Sequence, residues 1–235
     1  MLSIDKLKFD FLFNAYFGEE GANLKRFVSL AYLDMNRTLR GISTSDPNGT
    51  IQPKAGELIK NQVNYLNENA VPDDKTVPFD TFDSWHHKLA DALIKCYTDA
   101  PNVDNPVCFT YGQAQKWINM TIKYCWLFGG SELQGLDHWF KAAHIPVDRK
   151  ILYAVIEGKI FQALPCKDGW LKWGDFDTDP ISEMRKLAEK VCKDGWSKWK
   201  DWDEYQSFQD KIRIVSNKCD KFPLYLESIW WNKSS

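Results

Sequence analysis

The sequence contains no run of about 18 consecutive apolar residues, which excludes a helical membrane span. Its first residues, Met1-Leu2-Ser3-Ile4-Asp5-Lys6, lack the basic, then apolar, then small-residue order of a secretory leader, so a cytoplasmic protein is expected. Closely spaced cysteines are missing: Cys96, Cys108, Cys125, Cys166, Cys192 and Cys219 are widely spread, with no Cys-x-x-Cys pair. That spacing argues against both a zinc site and a disulfide framework, and buried thiols are the expectation. An excess of positive charge is also absent. The formal net charge is −2 and no segment is strongly basic, which argues against a protein that coats nucleic acid by bulk electrostatics. No period-two alternation is strong enough to mark a sheet. Neither a metal nor a cofactor is expected.

What is present is apolar and aromatic. With 11 tryptophans and 44% hydrophobic residues, the 235-residue chain buries a substantial core rather than staying disordered. The spacing predicts an all-α multi-helix bundle of eight or more helices, as one helical domain over 1–235. Residues 1–105 and 205–235 read as scaffold, 106–165 as a hairpin and catalytic segment, and 166–204 as a Trp-rich duplicated segment. Phe9, Leu12, Phe13, Tyr16 and Phe17, then Leu24, Phe27, Val28, Ala31, Tyr32 and Met35, recur at helical spacing within 5–42. A polar loop is expected over 43–54, a helix over 57–69, a polar loop over 71–77, a helix over 81–98 and a loop over 99–106. Helices are also expected over 204–213 and 223–231. His86 and His87 read as surface histidines, and His138 and His144 as structural ones.

The stretch Phe109–Val155 organises the rest. Tyr111-Gly112-Gln113-Ala114 reads as a turn in which Gly112 takes a positive φ. Ala114, Trp117, Ile118, Thr121, Ile122, Cys125 and Trp126 then define one buried helix face, stopped by Gly129-Gly130. Lys116 lies in the first turn of that helix, beside the buried stripe. In His144-Ile145-Pro146-Val147-Asp148-Arg149-Lys150, Pro146 reads as a helix start and Asp148 as an acid in its positive first turn, where a carboxylate stays ionised.

Gly112-Gln113-Ala114-Gln115-Lys116 resembles the second half of the helix-hairpin-helix of base-excision DNA glycosylases, and Pro146-Val147-Asp148 resembles the segment that carries their essential Asp. Tyr111 stands where the family usually has Pro, Ala114 where it has a second Gly, and Arg149 and Lys150 where Thr and His are common. The interval between Lys116 and Asp148 resembles the archaeal GO glycosylase type more than the endonuclease III type, and no four-Cys iron-sulfur signature follows. The resemblance implies a central helix-hairpin-helix-like element, with Lys116 as Schiff-base nucleophile and Asp148 as the catalytic acid group. It implies that Gly112, Gln113, Ala114 and Gln115 hold a DNA phosphate, aided by Arg149 and Lys150. The implied partner is double-stranded DNA bearing a modified base, an oxidised purine or an enzymatically modified base as in phage DNA, and the protein would act as a monomer.

A duplication lies further on. Cys166-Lys167-Asp168-Gly169-Trp170-Leu171-Lys172-Trp173 recurs as Cys192-Lys193-Asp194-Gly195-Trp196-Ser197-Lys198-Trp199. Trp170, Trp173, Trp196 and Trp199 read either as a stacking platform or, preferred, as core tryptophans beside Lys stems. This leaves a non-catalytic helical binding module with a Trp-rich ligand or partner surface as the alternative function. A hydrolase that uses Glu227 or the histidines is a third reading.

Overall fold

The computed structural model describes residues 13–18, 21–39, 49–69, 77–99, 108–158, 165–166, 169–170 and 180–233. These residues are helical but for short connections and a two-residue antiparallel pair, β1 (Pro165–Cys166) with β2 (Gly169–Trp170). The α-helices are α1 (Leu24–Asn36), α2 (Ile51–Glu68), α3 (Phe79–Thr98), α4 (Tyr111–Phe128), α5 (Asp137–Phe140), α6 (Arg149–Ile156), α7 (Pro180–Asp194), α8 (Trp202–Lys218) and α9 (Pro223–Lys233). A 3-10 segment, Gly130–Leu136, joins α4 to α5, and another, Trp196–Lys198, joins α7 to α8. No helix among the described residues is long and apolar enough to cross a membrane.

Helix boundaries depart from the sequence expectation where the punctuation is tertiary. Ile51 begins α2 inside the stretch read as a loop, because Ile51, Ala55 and Ile59 are all buried. Pro78 caps α3, so that helix starts at Phe79. Outside the described residues lie the start of the 5–42 segment, most of the 71–77 and 99–106 loops, and most of the first Trp-rich copy. Cys125 and Cys219 are buried as expected, whereas Cys96 and Cys192 are half-buried and Cys108 is exposed.

Helix α4 is the axis of the fold. It is buried almost all round, including Gln113, Gln115, Lys116, Asn119, Thr121 and Lys123, rather than along the single stripe read from its apolar residues. A helix enclosed on every side must place each polar side chain on a partner. The Trp117 indole N–H donates to the Val28 carbonyl of α1 at 2.9 Å, and the Trp117 ring packs on Tyr32, centroids 5.0 Å apart. Gly129 ends α4 as its C-cap, and Gly130 takes φ +56, as the Gly-Gly pair implied.

On the α3 and α8 side the enclosed polar groups form one chain. Asn119 Nδ2 donates to the Tyr205 hydroxyl at 2.8 Å, and its Oδ1 lies 3.0 Å from His86 Nε2. His86 therefore carries its proton on Nε2, and Nδ1 accepts from the Tyr111 hydroxyl at 2.9 Å. The Tyr205 hydroxyl in turn donates to His144 Nδ1 at 3.0 Å, which leaves the His144 Nε2–H to donate to Asp83 Oδ1 at 2.8 Å. Arg213 closes the chain with a fork onto Asp83, at 2.6 and 2.9 Å. His86 is thus a fully buried core residue and not a surface histidine. The reason is its chain of partners from α4 and α8. His144 has the expected structural role, while His87 is partly exposed and pairs with Asp91 at 3.5 Å.

Burial first, then the neighbouring His144, pushes His86 well below its ordinary value of 6.5. Burial also pulls His144 from 6.5 to about 4, with Asp83 opposing and Arg213 adding to the fall. Both imidazoles are neutral in the fold, so the unfolded chain binds more protons as pH drops below 6.5. The stability they confer is complete above that pH and is lost as pH falls towards about 4. Glu227, shifted upward by burial, works in the opposite sense and offsets part of the loss. Urea midpoints measured from pH 7.5 down to about 4.5 are expected to decline, and His144→Gln should flatten that decline. An unchanged slope in the variant would show that this imidazole does not titrate on unfolding.

Candidate active site

The segment expected to be a hairpin is the first turn of α4. Thr110 is extended and caps it: Gln113 N–H donates to Thr110 Oγ1 at 3.3 Å, while Thr110 N–H donates to Gln113 Oε1 at 3.0 Å. This Thr-x-x-Gln capping box gives Tyr111–Ala114 helical backbone, and Gly112 has no positive φ. Gly112 is required for a different reason. A Cβ there would lie 2.0 Å from the Trp196 carbonyl oxygen, and the Gly112 N–H donates to the Trp199 carbonyl at 2.8 Å.

The phosphate-holding roles implied for Gly112, Gln113, Ala114 and Gln115 are therefore corrected. All four residues are buried. The N–H of Gly112 is taken by Trp199, and those of Gln113 and Ala114 by Thr110. The Gln115 side chain is engaged internally as well, its Nε2 donating to the Val147 carbonyl at 2.8 Å and to the Gly112 carbonyl at 3.0 Å. Its Oε1 accepts the Val147 N–H at 3.2 Å. Gln209 holds Ile145 in the same two-sided way, donating at 3.0 Å and accepting at 3.1 Å. The irregular buried segment 143–148 is thus paired by side-chain amides as a strand would be paired by a neighbouring backbone.

That clamp sets the site, because Gln115 precedes Lys116 and Val147 precedes Asp148. The Lys116 ammonium donates to Asp148 Oδ2 at 2.7 Å. Asp148 Oδ1 accepts the Ile151 N–H at 3.1 Å, so Asp148 is the N-cap of α6 and not, as the sequence implied, a residue inside a helix begun by Pro146. Burial raises the Asp148 carboxyl, but the Lys116 charge and hydrogen bond, with the Ile151 and Lys150 N–H groups, outweigh this and hold it below its ordinary value. The pair rests as ammonium and carboxylate. Lys116 is nearly buried, at 5% side-chain exposure.

The two groups line a cavity of about 1160 Å³. Phe13, Tyr16, Phe17, Tyr124, Phe128, Tyr153 and Trp196 form much of its wall. The exposed cations Arg37 and Arg149 also line it, with Lys150 beside them. The Arg149 guanidinium lies over the Tyr153 ring, 5.2 Å from its centroid. Along α4 the lining residues are Lys116, Met120, Lys123, Tyr124, Leu127 and Phe128, one helical face that period 3.6 predicts once Lys116 is taken as its start. Lys123 meets Glu227 of α9 at 2.5 Å, with the carboxylate fully buried. Burial raises Glu227, and Lys123 opposes the shift. The complete enclosure of Glu227, set by α9 packing on α8 and α6, had no sequence signal.

Other sequence candidates fall away from this cavity. His86 and His144 belong to the core network, and His87 sits on α3 beside Asp91. Of the four tryptophans, Trp199 is core and Trp196 lines the cavity; the side chains of the first copy lie outside the described residues.

No protein-family model, no curated protein and no solved structure matches the chain.

Two substitutions test this arrangement. Gly112→Ala should cost about 1–3 kcal/mol, because a methyl group has to displace backbone rather than a side chain. Gln115→Leu should cost a similar amount, on the order of 1–3 kcal/mol for each Val147 group left unpaired. Denaturant unfolding measures both; wild-type midpoints would mean that the contacts are not made in solution.

Proposed function

We propose that the protein is a DNA glycosylase that excises a modified base from double-stranded DNA. The observation that carries this reading is the Lys116 ammonium held 2.7 Å from the Asp148 carboxylate on the wall of a large aromatic cavity. A nucleotide must leave the stack before its anomeric carbon can be reached, and the extruded base then needs an enclosed, stackable site. The aromatic lining has that character. Arg37, Arg149 and Lys150 border the same cavity and supply local positive charge for phosphate contact, which the net charge of −2 does not.

The chemistry follows from the resting charges. As the C1′–N bond breaks, its electron pair goes to the base, and the sugar develops positive charge that Asp148 stabilises. The departing base, an anion, takes a proton from the Lys116 ammonium. The neutral amine so produced bonds to C1′ and gives up a proton to Asp148; that proton passes to O4′ as the C1′–O4′ bond opens, which leaves a Schiff base. Loss of a 2′ proton then expels the 3′ phosphate and nicks the strand. Where water attacks C1′ instead, the base is released without strand cleavage. Both groups come from one chain, so a monomer suffices.

A second reading, a non-catalytic binding module, is favoured by one observation: Trp196 of the duplicated segment lines the same cavity. The two readings separate on a panel of duplexes, each with one modified base, scored for abasic sites and nicks. Borohydride should trap the wild-type protein on its substrate. Lys116→Ala should abolish the adduct, and Asp148→Asn should slow base release by about 100-fold or more. DNA binding with no base release anywhere on the panel favours the binding module.

A further inference from the structure

The cavity wall carries a second ammonium, Lys123, backed by a buried carboxylate, that the proposed reaction does not use. Lys116, Met120 and Lys123 occupy one face of α4, and all three line the cavity. Seven residues of helix separate the two lysines by about 10 Å along the axis. Each ammonium is held by an acid from another element: Asp148 at the start of α6 for Lys116, and Glu227 of α9 for Lys123. Among the described residues, the Glu227 carboxylate has no hydrogen-bond partner apart from the Lys123 ammonium that it meets at 2.5 Å.

Enclosing such a pair does little for stability, because desolvating both charges offsets their attraction. Its consequence is geometric: it fixes a donor-only group at a set distance from Lys116. If C1′ lies at Lys116, the planar base extends from it along α4. It passes Met120, whose soft thioether suits the face of a ring, and presents its far edge to Lys123.

We propose that Lys123, oriented by Glu227, is a specificity-determining residue that donates a hydrogen bond to an acceptor on the far edge of the extruded base. The substrate class is then a modified base with a keto oxygen at that edge, in preference to its amino counterpart. An ammonium has nothing to accept with, so an exocyclic amino group facing it leaves two donors opposed and unpaired. The contact also bears on rate. When the base leaves as an anion, its charge spreads onto the keto oxygen, where the ammonium stabilises it more than in the ground state. Glu227 acts only through Lys123 and is a positioning residue.

This inference rests on the glycosylase reading, and the experiment keeps the two apart. Single-turnover base release is measured on matched duplexes that differ at the far edge: 8-oxoguanine against 8-oxoadenine, and 5-hydroxymethyluracil against 5-hydroxymethylcytosine. The same proteins are tested for borohydride trapping on a duplex with a preformed abasic site, which has no base to recognise. Wild type should release the keto member faster. Lys123→Met should reduce the keto-to-amino ratio on the order of 10- to 100-fold, the worth of a hydrogen bond to a charged group, while abasic-site trapping stays at the wild-type level. Lys123→Arg, which retains the charge, should keep most of the discrimination, and Glu227→Gln should lose part of it without loss of trapping. A Lys123→Met protein with unchanged ratio, or one in which release and trapping fall together, overturns the assignment of Lys123. Wild-type protein that releases no base and forms no Lys116-dependent adduct overturns the glycosylase reading itself, and the inference with it.

Discussion

The relation between α4 and the start of α6 depends on one side-chain amide. Gln115 grips both backbone groups of Val147, and because each of these residues directly precedes a member of the Lys116–Asp148 pair, the grip sets the distance between amine and acid. Segment 143–148 has no helix or sheet of its own to satisfy its backbone, and it is buried. Without Gln115, Gln209 and Asn119 the N–H and C=O groups of Ile145 and Val147 would be enclosed and unpaired, each at a cost of about 1–3 kcal/mol. The amides remove that cost and, by the directionality of their bonds, allow only one register. A hydrophobic contact of equal area would hold the same segment close without specifying which residue faces which.

The same physics explains why α4 carries so much buried polarity. Its two sides serve different ends. Towards α3 and α8 lies a chain of neutral imidazoles, phenols and amides terminated by the Asp83–Arg213 fork, linked donor to acceptor from Tyr111 to Asp83. Such a network specifies the packing of three helices; of its side-chain donors, the Arg213 Nε–H lacks a partner among the described residues. Towards α1, α6 and α9 lie two lysines on a cavity wall, each paired with a carboxylate from another element. Enclosed charges contribute little to stability. The position of the two ammonium groups on a wall, beside aromatic rings, makes that side of the helix the candidate site.

On the proposed reading, an acidic chain meets a polyanionic partner through local charge. The expected route, backbone N–H groups of a hairpin, is closed, because those groups are engaged by Thr110 and by the Trp199 carbonyl. What remains is local: Arg37, Arg149 and Lys150, with Lys116 and Lys123, outnumber the carboxylates Asp34, Asp148 and Glu157 that line the same cavity. Contacts of this kind position a duplex through a few phosphates and depend on salt accordingly.

The sequence alone determined the class of the fold and most of its helices. The spacing of Leu89, Leu93 and their neighbours, or of Tyr205, Phe208 and Ile212, is a local consequence of 3.6 residues per turn and is legible without coordinates. Lys116 and Asp148 were also legible, through motif resemblance and the polar character of a helix start. Gly112 was misread. Thr110 and Gln113 already spelled a capping box, but a glycine can signal either a positive φ or a close approach, and only the Trp196 carbonyl opposite it decides between them. His86 and Glu227 are polar residue types, which periodicity assigns to the surface; their burial was decided by partners far along the chain, Asn119 and Lys123. Tertiary structure alone brought amine, acid and aromatic wall to one cavity, because hydrogen bonds between residues distant in sequence leave no periodic trace in it.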